Sequence, residues 1–169
     1  MNNSYQLKEI SSQLLVERGV SLDDIADIVL SLQNKYIPNL NKEECLESIA
    51  AVLKKREVQN AIITGIELDK LAEQKLLSEP LLTILMKDEG LYGIDEILAL
   101  SIVNLYGSIG FTNYGYLDKI KPGVIAKLNE KDGKQCHTFL DDIVAAIAAA
   151  AASRLAHNDP DKSAITNQQ

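Results

Sequence analysis

Apolar side chains in the first seventy residues recur every three or four positions, which is the spacing of one face of an α-helix. This pattern predicts a first helix from Ser4 to Arg18, ended by Gly19. Ser21 and Asn41 are each followed three residues later by an acidic residue, as in a capping box, and predict the starts of the second and third helices. The charged run from Lys54 to Glu57 predicts a break before a fourth amphipathic helix.

Helical spacing continues in the second half of the chain, where turns that contain glycine or proline separate shorter segments. Ser78 is the predicted cap of a short helix that runs through Met86, and residues 88–93 are expected to form a loop. An apolar helix is expected from Asp95 to about Tyr106, and another short helix from Phe111 to Asp118. The chain has no segment with the alternating pattern of a strand.

The last helix is predicted to start at a Thr138 cap and to run through an alanine-rich segment to about His157. Such a helix has a thin surface that neighbours can approach from all sides, so we expect it at the centre of a bundle. The sequence therefore predicts an all-α protein, a compact multi-helix single domain over residues 1–157 with the alanine-rich helix central. The polar tail, residues 158–169, is expected to be disordered.

Composition supports helical packing and limits the partners. Apolar residues make up 46% of the 169 residues and aromatic residues 5%, so the core must be built mainly from Leu, Ile, Val and Ala. The 24 acidic and 17 basic residues give a formal net charge of -7, which disfavours nucleic acid as a partner and repels anionic lipid. An anionic substrate would therefore need a local cation to meet it.

The longest uninterrupted apolar run, Ile143 to Ala152, is about half the ~20 residues that a membrane helix needs. We therefore expect no transmembrane segment, at most a peripheral membrane contact, and a cytoplasmic location. Cys45 and Cys136 lie far apart, without metal-ligand or redox spacing, and are expected to be reduced thiols with packing roles.

Three acidic groups within about fifty residues are the candidates for chemistry. The pairs Asp95-Glu96 and Asp141-Asp142 each begin a predicted helix, and Asp118 precedes Lys121 by three residues. Because Mg²⁺ prefers several oxygen ligands and keeps waters for substrate phosphate, carboxylates that converge from separate helices predict a Mg²⁺ site. Lys121 would then meet a phosphate oxygen opposite the metal.

Each of these groups also has a structural interpretation. Carboxylates in the first turn of a helix stabilise it through the dipole and the free N–H groups, and Thr138 with Asp141 fits a capping box. Lys121 is equally a surface lysine before a turn, and His137 is either a structural residue or a proton donor to a leaving alkoxide. The acidic pairs border long apolar runs, and charges at the edge of a core need partners, which favours a shared site.

The same segments resemble the phosphatidylglycerophosphatase A family. The three ordered motifs of that family are an Asp-Glu pair, an Asp-x-x-Lys-Pro element and an Asp-Asp-x-x-Ala helix start, and they look like the segments Gly93–Ile97, Leu117–Pro122 and Leu140–Ala145. The similarity is clearest from Asp88 to His157. A soluble branch of the family from Gram-positive bacteria is described as low-temperature-requirement C or phosphatidylglycerophosphatase-related proteins. The similarity to this branch begins at about the first helix of the chain and runs to His157.

The resemblance implies a Mg²⁺-dependent phosphatase that removes the terminal phosphate of phosphatidylglycerophosphate, giving phosphatidylglycerol, or that acts on a related phosphate monoester. The residues it implies as catalytic are Asp95, Glu96, Asp118, Lys121, Asp141 and Asp142. Their five carboxylates would hold Mg²⁺, and Lys121 would neutralise phosphate charge. The hydrophobic spans of membrane-embedded members are missing from this chain, so the substrate is expected to be a phosphate ester that is either a lipid headgroup or soluble in water.

Two other functions stay open on the sequence alone. A non-catalytic regulator or scaffold of lipid or cold-growth physiology would retain the acidic site for structure. An all-α nucleotide pyrophosphohydrolase also gathers Mg²⁺ carboxylates on helices, but the Glu43-Glu44 pair lacks the further Glu and Asp of its usual signal. Convergence of the acids on one cavity would favour an enzyme. The thin last helix also favours self-association into a homo-oligomer.

Overall fold

A computed structural model describes residues 3–130 and 135–158 of the chain. These residues form nine α-helices and one 3₁₀ segment, and they contain no strand. The helices are α1 (Asn3–Glu17), α2 (Leu22–Gln33), α3 (Lys42–Leu53), α4 (Arg56–Glu73), α5 (Leu81–Lys87), α6 (Ile94–Val103), α7 (Gly107–Ile120), α8 (Val124–Leu128) and α9 (Leu140–Asn158). The predicted all-α class is confirmed.

Helix α9 lies at the centre of the bundle, and this confirms the placement predicted from its alanine content. Every side chain from Leu140 to Ser153 is buried. The helix packs against α2, α3, α4, α6, α7 and α8. Two hydroxyls fix its position along the bundle, because Ser48 donates to the Ala151 carbonyl at 2.9 Å and Ser153 donates to the Tyr106 carbonyl at 2.8 Å.

The amino-terminal helices begin as the sequence predicts. Ser21 Oγ accepts the N–H of Asp24 at 3.1 Å, and the Asp24 carboxylate accepts the N–H of Ser21 at 3.0 Å. Asn41 and Glu44 form the same reciprocal pair before α3. As expected, the helix is interrupted at the charged run: Lys54 and Lys55 separate α3 from α4, which begins at Arg56. Cys45 and Cys136 are both buried and form no disulfide.

The predicted Ser78 cap is wrong. Helix α5 begins after Pro80 without a side-chain cap, and Ser78 takes part through its backbone carbonyl, which accepts the N–H of Leu82 at 3.1 Å. The carboxylate of Glu79, one residue closer to the helix, accepts the N–H of Thr83 at 3.2 Å. A longer side chain in a nearer position thus takes the place of the hydroxyl.

Helices α6 and α7 form a hairpin around the 3₁₀ segment Asn104–Tyr106. By length and composition the whole stretch Ile94–Ile120 is apolar enough to cross a membrane. The sequence did not predict it, because polar residues such as Ser101 and Asn104 interrupt its apolar runs. Drawn out as one helix, this stretch would extend ~40 Å. In the fold its outer ends meet at one pocket, and the two arms have 10 and 14 residues, each below the ~20 residues of a span.

One predicted feature lies partly outside the described residues. The polar tail expected over residues 158–169 begins at Asn158, which ends α9, and the remainder lies outside the described part. Residues 131–134 of the loop after α8 also lie outside it.

Candidate metal centre

The start of α6, the end of α7 and the first turn of α9 meet around one open pocket of about 200 Å³. All six residues singled out in the sequence line this pocket, namely Asp95, Glu96, Asp118, Lys121, Asp141 and Asp142. The hairpin brings the first two motifs together, and the central helix supplies the third. We call this cavity the acidic pocket.

The two acidic pairs have the same local geometry. Asp95 Oδ1 accepts the N–H of Glu96 at 2.9 Å, and Asp141 Oδ1 accepts the N–H of Asp142 at 2.9 Å. One oxygen of each pair therefore stabilises a helix start, as the structural interpretation predicted. Because the same residues also line the acidic pocket, the structural and the functional interpretations are compatible.

Among the described residues that line the acidic pocket, Lys121 alone is basic. Its Nζ lies 2.9 Å from Asp141 Oδ2 and 3.4 Å from Asp118 Oδ1. The backbone of Lys121 has a φ of 46°, in the left-handed region that ends α7 and turns the chain. A left-handed residue is a common way to end a helix, and Lys75 has a similar φ of 56° away from the acidic pocket.

Burial and mutual repulsion make the carboxyl groups of the acidic pocket costly to ionise. Burial, followed by the charges of Asp141, Asp95 and Asp118, raises the pKa of Asp142 to about 8. Burial raises the pKa of Asp141 to about 6, although Lys121 opposes the change. The pKa of Asp95 is also raised, mainly by burial.

Tyr114 of α7 lies behind the acidic pocket, one helical turn before Asp118. Its side chain is buried, and its hydroxyl has no hydrogen-bond partner among the described residues. Burial, then the charges of Asp142 and Asp118, raises the pKa of Tyr114. The phenol therefore stays protonated.

The donor set of the acidic pocket fits a hard divalent cation. Carboxylate oxygens are the ligands that Mg²⁺ prefers, and a cation would relieve the repulsion that raises the pKa of Asp142. In residues 3–130 and 135–158, no three His, Cys, Asp or Glu side chains are already grouped closely enough to hold an ion alone.

The sequence analysis missed Asp88, which also lines the acidic pocket. This residue ends α5 with a φ of 51°, and its charge helps to raise the pKa of Asp95 and Asp141. Residues 88–93 were predicted only as a loop. The available signal was an acidic residue in a turn shortly before the first acidic pair. Asn129, after α8, lines the pocket as well and gave no signal in the sequence.

The first turn of α9 is capped by a residue far away in the chain, and the predicted Thr138 cap is wrong. The Thr138 hydroxyl donates to the Leu85 carbonyl at 2.7 Å. The carboxylate of Asp69, fully buried in α4, instead accepts the N–H of Phe139 at 3.1 Å and the N–H of Leu140 at 3.1 Å. Asp69 therefore holds the turn that carries Asp141 and Asp142.

A second buried group braces the segment just before α9. Arg18 forms an ion pair with Glu73 and donates to the Cys136 carbonyl at 2.8 Å. Glu73 in turn accepts the N–H of Cys136 at 2.7 Å. His137 contacts Arg18 at 3.1 Å through Nδ1 and Gln135 at 3.1 Å through Nε2. His137 lines a neighbouring cavity instead of the acidic pocket, so its geometry favours the structural role.

Comparisons with known proteins find one matching family model and several similar proteins of solved structure. The family model for phosphatidylglycerophosphatase A matches residues 21–157. The uncharacterized protein YutG of Bacillus subtilis is 63% identical over 152 residues, which cover 90% of this chain and 92% of YutG. The crystal structure of the low temperature requirement C protein from Listeria monocytogenes is 65% identical with a TM-score of 0.87, covering 89% of this chain and 95% of that one. The protein in the crystal structure of YpjQ from Bacillus subtilis is 57% identical, with a TM-score of 0.89. The match covers 94% of this chain and 98% of YpjQ.

Proposed function

The chain belongs to the phosphatidylglycerophosphatase A family, and from that premise we propose that it is a Mg²⁺-dependent phosphatase. Its substrate is phosphatidylglycerophosphate, from which it removes the terminal phosphate, or a related phosphate monoester. The observation that carries the proposal is the convergence of three separate motifs, with five carboxylates and one lysine, on the acidic pocket.

The carboxylates of Asp95, Glu96, Asp118, Asp141 and Asp142 are the groups that would hold Mg²⁺. When bound there, Mg²⁺ would neutralise charge on the phosphoryl oxygens and would lower the pKa of a water molecule. Hydrolysis forms a bond from the water oxygen to phosphorus and breaks the bond from phosphorus to the glycerol oxygen, which takes up a proton as it leaves.

The residues of the chain contribute position and charge. Lys121 Nζ, now shared between Asp141 and Asp118, can donate to a phosphate oxygen that enters the acidic pocket. Asp69 keeps the first turn of α9 in place through its backbone hydrogen bonds. The burial of Asp141 and Asp142 lowers the local dielectric, which strengthens these charge interactions with substrate.

Neither alternative function gains comparable support. The pyrophosphohydrolase interpretation drew on Glu43-Glu44, but Glu44 is used in the capping box of α3 and remains exposed there. The scaffold interpretation accounts for the hydrogen bonds at the two helix starts. It leaves unexplained why Asp118 and Lys121 approach the same pocket from α7.

The test is phosphate release from phosphatidylglycerophosphate by the purified protein, with Mg²⁺ and with EDTA. We expect release with Mg²⁺ only, and a fall of at least ~100-fold in kcat/KM for Asp142→Asn. Asp23→Asn is the matched control, since Asp23 is an exposed acid in the first turn of α2. Absence of Mg²⁺-dependent release by the folded wild type, or equal activity in Asp142→Asn, would refute the proposal.

A further inference from the structure

A second cavity lies at the end of the bundle that is remote from the acidic pocket. It has a volume of about 290 Å³, and the described residues that line it are all different from those of the acidic pocket. Gln33 at the end of α2, Asn113 of α7 and Ala156 in the last turn of α9 line it. Ala156 and Asp142 lie near opposite ends of α9, ~20 Å apart along its axis. We call this second cavity the amide cavity.

The amide cavity lies between α2 and α7, which both pack against the central helix. The wall from α7 consists of residues with the spacing of one helical face, namely Ser108, Ile109, Thr112 and Asn113. Ala156 is buried and contributes only a methyl group, which leaves room between the two outer helices. The cavity is therefore formed by regular helices, whose side chains are held in fixed positions.

Two buried polar atoms without partners belong to residues of this one cavity. Within residues 3–130 and 135–158, five buried side-chain nitrogen or oxygen atoms have no hydrogen-bond partner. Two of the five are an acceptor, Gln33 Oε1, and a donor, Asn113 Nδ2. Gln33 is only 3% exposed, and a buried polar group without a partner is costly. A ligand that donates to Gln33 Oε1 and accepts from Asn113 Nδ2 supplies both missing partners.

The lining of the amide cavity selects a small neutral ligand. None of the described residues that line it is charged, and an ion taken out of water needs a charged or strongly polar partner. The side chains of Tyr36, Ser108 and Thr112 add hydroxyl groups to the two amides, and Ile109 adds an apolar contact. A volume of about 290 Å³ is at the lower end of the ~300–1,000 Å³ that is usual for ligand pockets.

We propose that the amide cavity binds a small neutral polyol, which is a molecule with hydroxyl groups on adjacent carbon atoms. Each hydroxyl group both donates and accepts, so neighbouring hydroxyls pair with Gln33 Oε1 and Asn113 Nδ2 at the same time. The C–H groups of the ligand pack against Ile109 and Ala156. Binding there does not depend on the proposed phosphatase activity, because the two cavities have no described residue in common.

Water is the competing occupant of the amide cavity. A bridging water molecule satisfies both amide atoms, but one water takes up only ~30 Å³ in the liquid, so the cavity has room for several. A polyol reproduces the hydrogen bonds of these waters and releases them to the solvent, which favours its binding over theirs. An apolar molecule of the same size loses the hydrogen bonds and gains no such advantage.

The experiment follows the side-chain amide signals of Gln33 and Asn113 in ¹H–¹⁵N NMR spectra of the full chain. The titrated probes are glycerol and myo-inositol as polyols, acetamide as a neutral molecule without hydroxyl groups, and acetate as an anion. The test variant is Gln33→Met, which keeps the length of the side chain and removes its polar atoms. The control is Gln59→Met, because Gln59 is 1% exposed, has an equally unpartnered Oε1 and does not line the amide cavity.

We expect saturable shifts of both amide signals with at least one polyol, and weaker or no binding of acetamide and acetate. In Gln33→Met the Asn113 signal should report polyol binding at least about tenfold weaker, and in Gln59→Met the wild-type affinity. Thermal unfolding shows that each variant is folded, and Asn113→Leu, read through the Gln33 signal, replaces Gln33→Met if that variant does not fold. Absence of saturable shifts with both polyols, equal affinity for acetamide or acetate, or undiminished polyol binding by the test variant overturns the proposal.

Discussion

Lys121 Nζ lies 2.9 Å from Asp141 Oδ2, so the end of α7 is tied directly to the first turn of the central helix. The same nitrogen lies 3.4 Å from Asp118 Oδ1. Under the proposed function, Lys121 would have two roles in one position. It holds two of the acidic motifs together, and it places a positive charge where a phosphate would enter.

Replacing Lys121 by methionine should weaken both functions. The buried Asp141 loses its cation, and we expect the free energy of unfolding in EDTA to fall by about 1–3 kcal/mol. Phosphatase activity should fall at least ~100-fold. Urea denaturation and phosphate release measure the two effects. Lys119→Met, which changes an exposed lysine of the same helix, should alter neither, and an equal loss in that variant would contradict the assignment.

Stability should respond to pH and Mg²⁺ in a linked way. In protein stripped of divalent cations, burial raises the pKa of Asp141 to about 6 and the pKa of Asp142 to about 8. Both folded-state values lie above the unfolded value of 3.8, so these groups stabilise the fold when protonated, and this stabilisation is lost as pH rises through about 6 and then about 8. Mg²⁺ binds the ionised carboxylates, so its stabilising effect should grow over the same range.

Thermal unfolding with EDTA and with Mg²⁺, at about pH 6 and about pH 8.5, checks this linkage. The rise in Tm caused by Mg²⁺ should be larger at the higher pH. In Asp142→Asn most of the difference between the two pH values should disappear. A Mg²⁺ effect that is the same at both pH values would show that the ion does not bind at these acids.

Asp69 should contribute more to the free energy of unfolding through the start of α9 than the Thr138 hydroxyl does. Asp69→Ala leaves the buried N–H groups of Phe139 and Leu140 without their acceptor, and we expect a loss of about 2–4 kcal/mol in the free energy of unfolding. Thr138→Val removes the hydrogen bond to the Leu85 carbonyl and the weak contact with Cys136 Sγ, and should cost about 1 kcal/mol. Chemical denaturation of both variants measures the difference. The reverse order would restore Thr138 as the principal cap.

Two helical glycines should respond in opposite ways to substitution by alanine. A Cβ on Gly65 of α4 would lie 2.4 Å from Ile143 Cδ1 and 3.0 Å from Phe139 Cβ, so Gly65→Ala should destabilise the protein by about 1–3 kcal/mol despite the better helix propensity. Gly115 of α7 has open space around it, and Gly115→Ala should stabilise by about 0.5–1 kcal/mol. Equal shifts in the denaturation midpoint would show that α4 and α9 can move apart at no cost.

The features that the sequence predicted correctly depend on neighbours in the chain. The capping boxes at Ser21 and Asn41 join residues three apart, and the central position of α9 follows from its alanine content. The acidic motifs were found because each is a short local pattern. Their convergence on one pocket was expected from their chemistry, and the hairpin explains how the first two meet.

The features that the sequence did not predict depend on distant partners or on turn geometry. Asp69 lies 70 residues before Phe139, and nothing near it in the chain indicates a helix start as its partner. Asp88 reaches the acidic pocket because a left-handed residue ends α5. The predicted Ser78 and Thr138 caps were wrong because carboxylates accept the free N–H groups at these helix starts. Glu79 does so at α5 and Asp69 at α9.

The alanines of α9 set the distance between the helix backbones, and this distance decides how closely the acids at the start of α9 approach those of α6 and α7. An aspartate carries its carboxylate on a single methylene, so acids from α6, α7 and α9 can share one ion only if the helix backbones are close together. A row of methyl groups permits that approach along the whole length of the central helix. A larger side chain at Ala149 or Ala150, remote from the acidic pocket, would push the surrounding helices outward. The carboxylates of the pocket would then move apart, although none of them had been substituted.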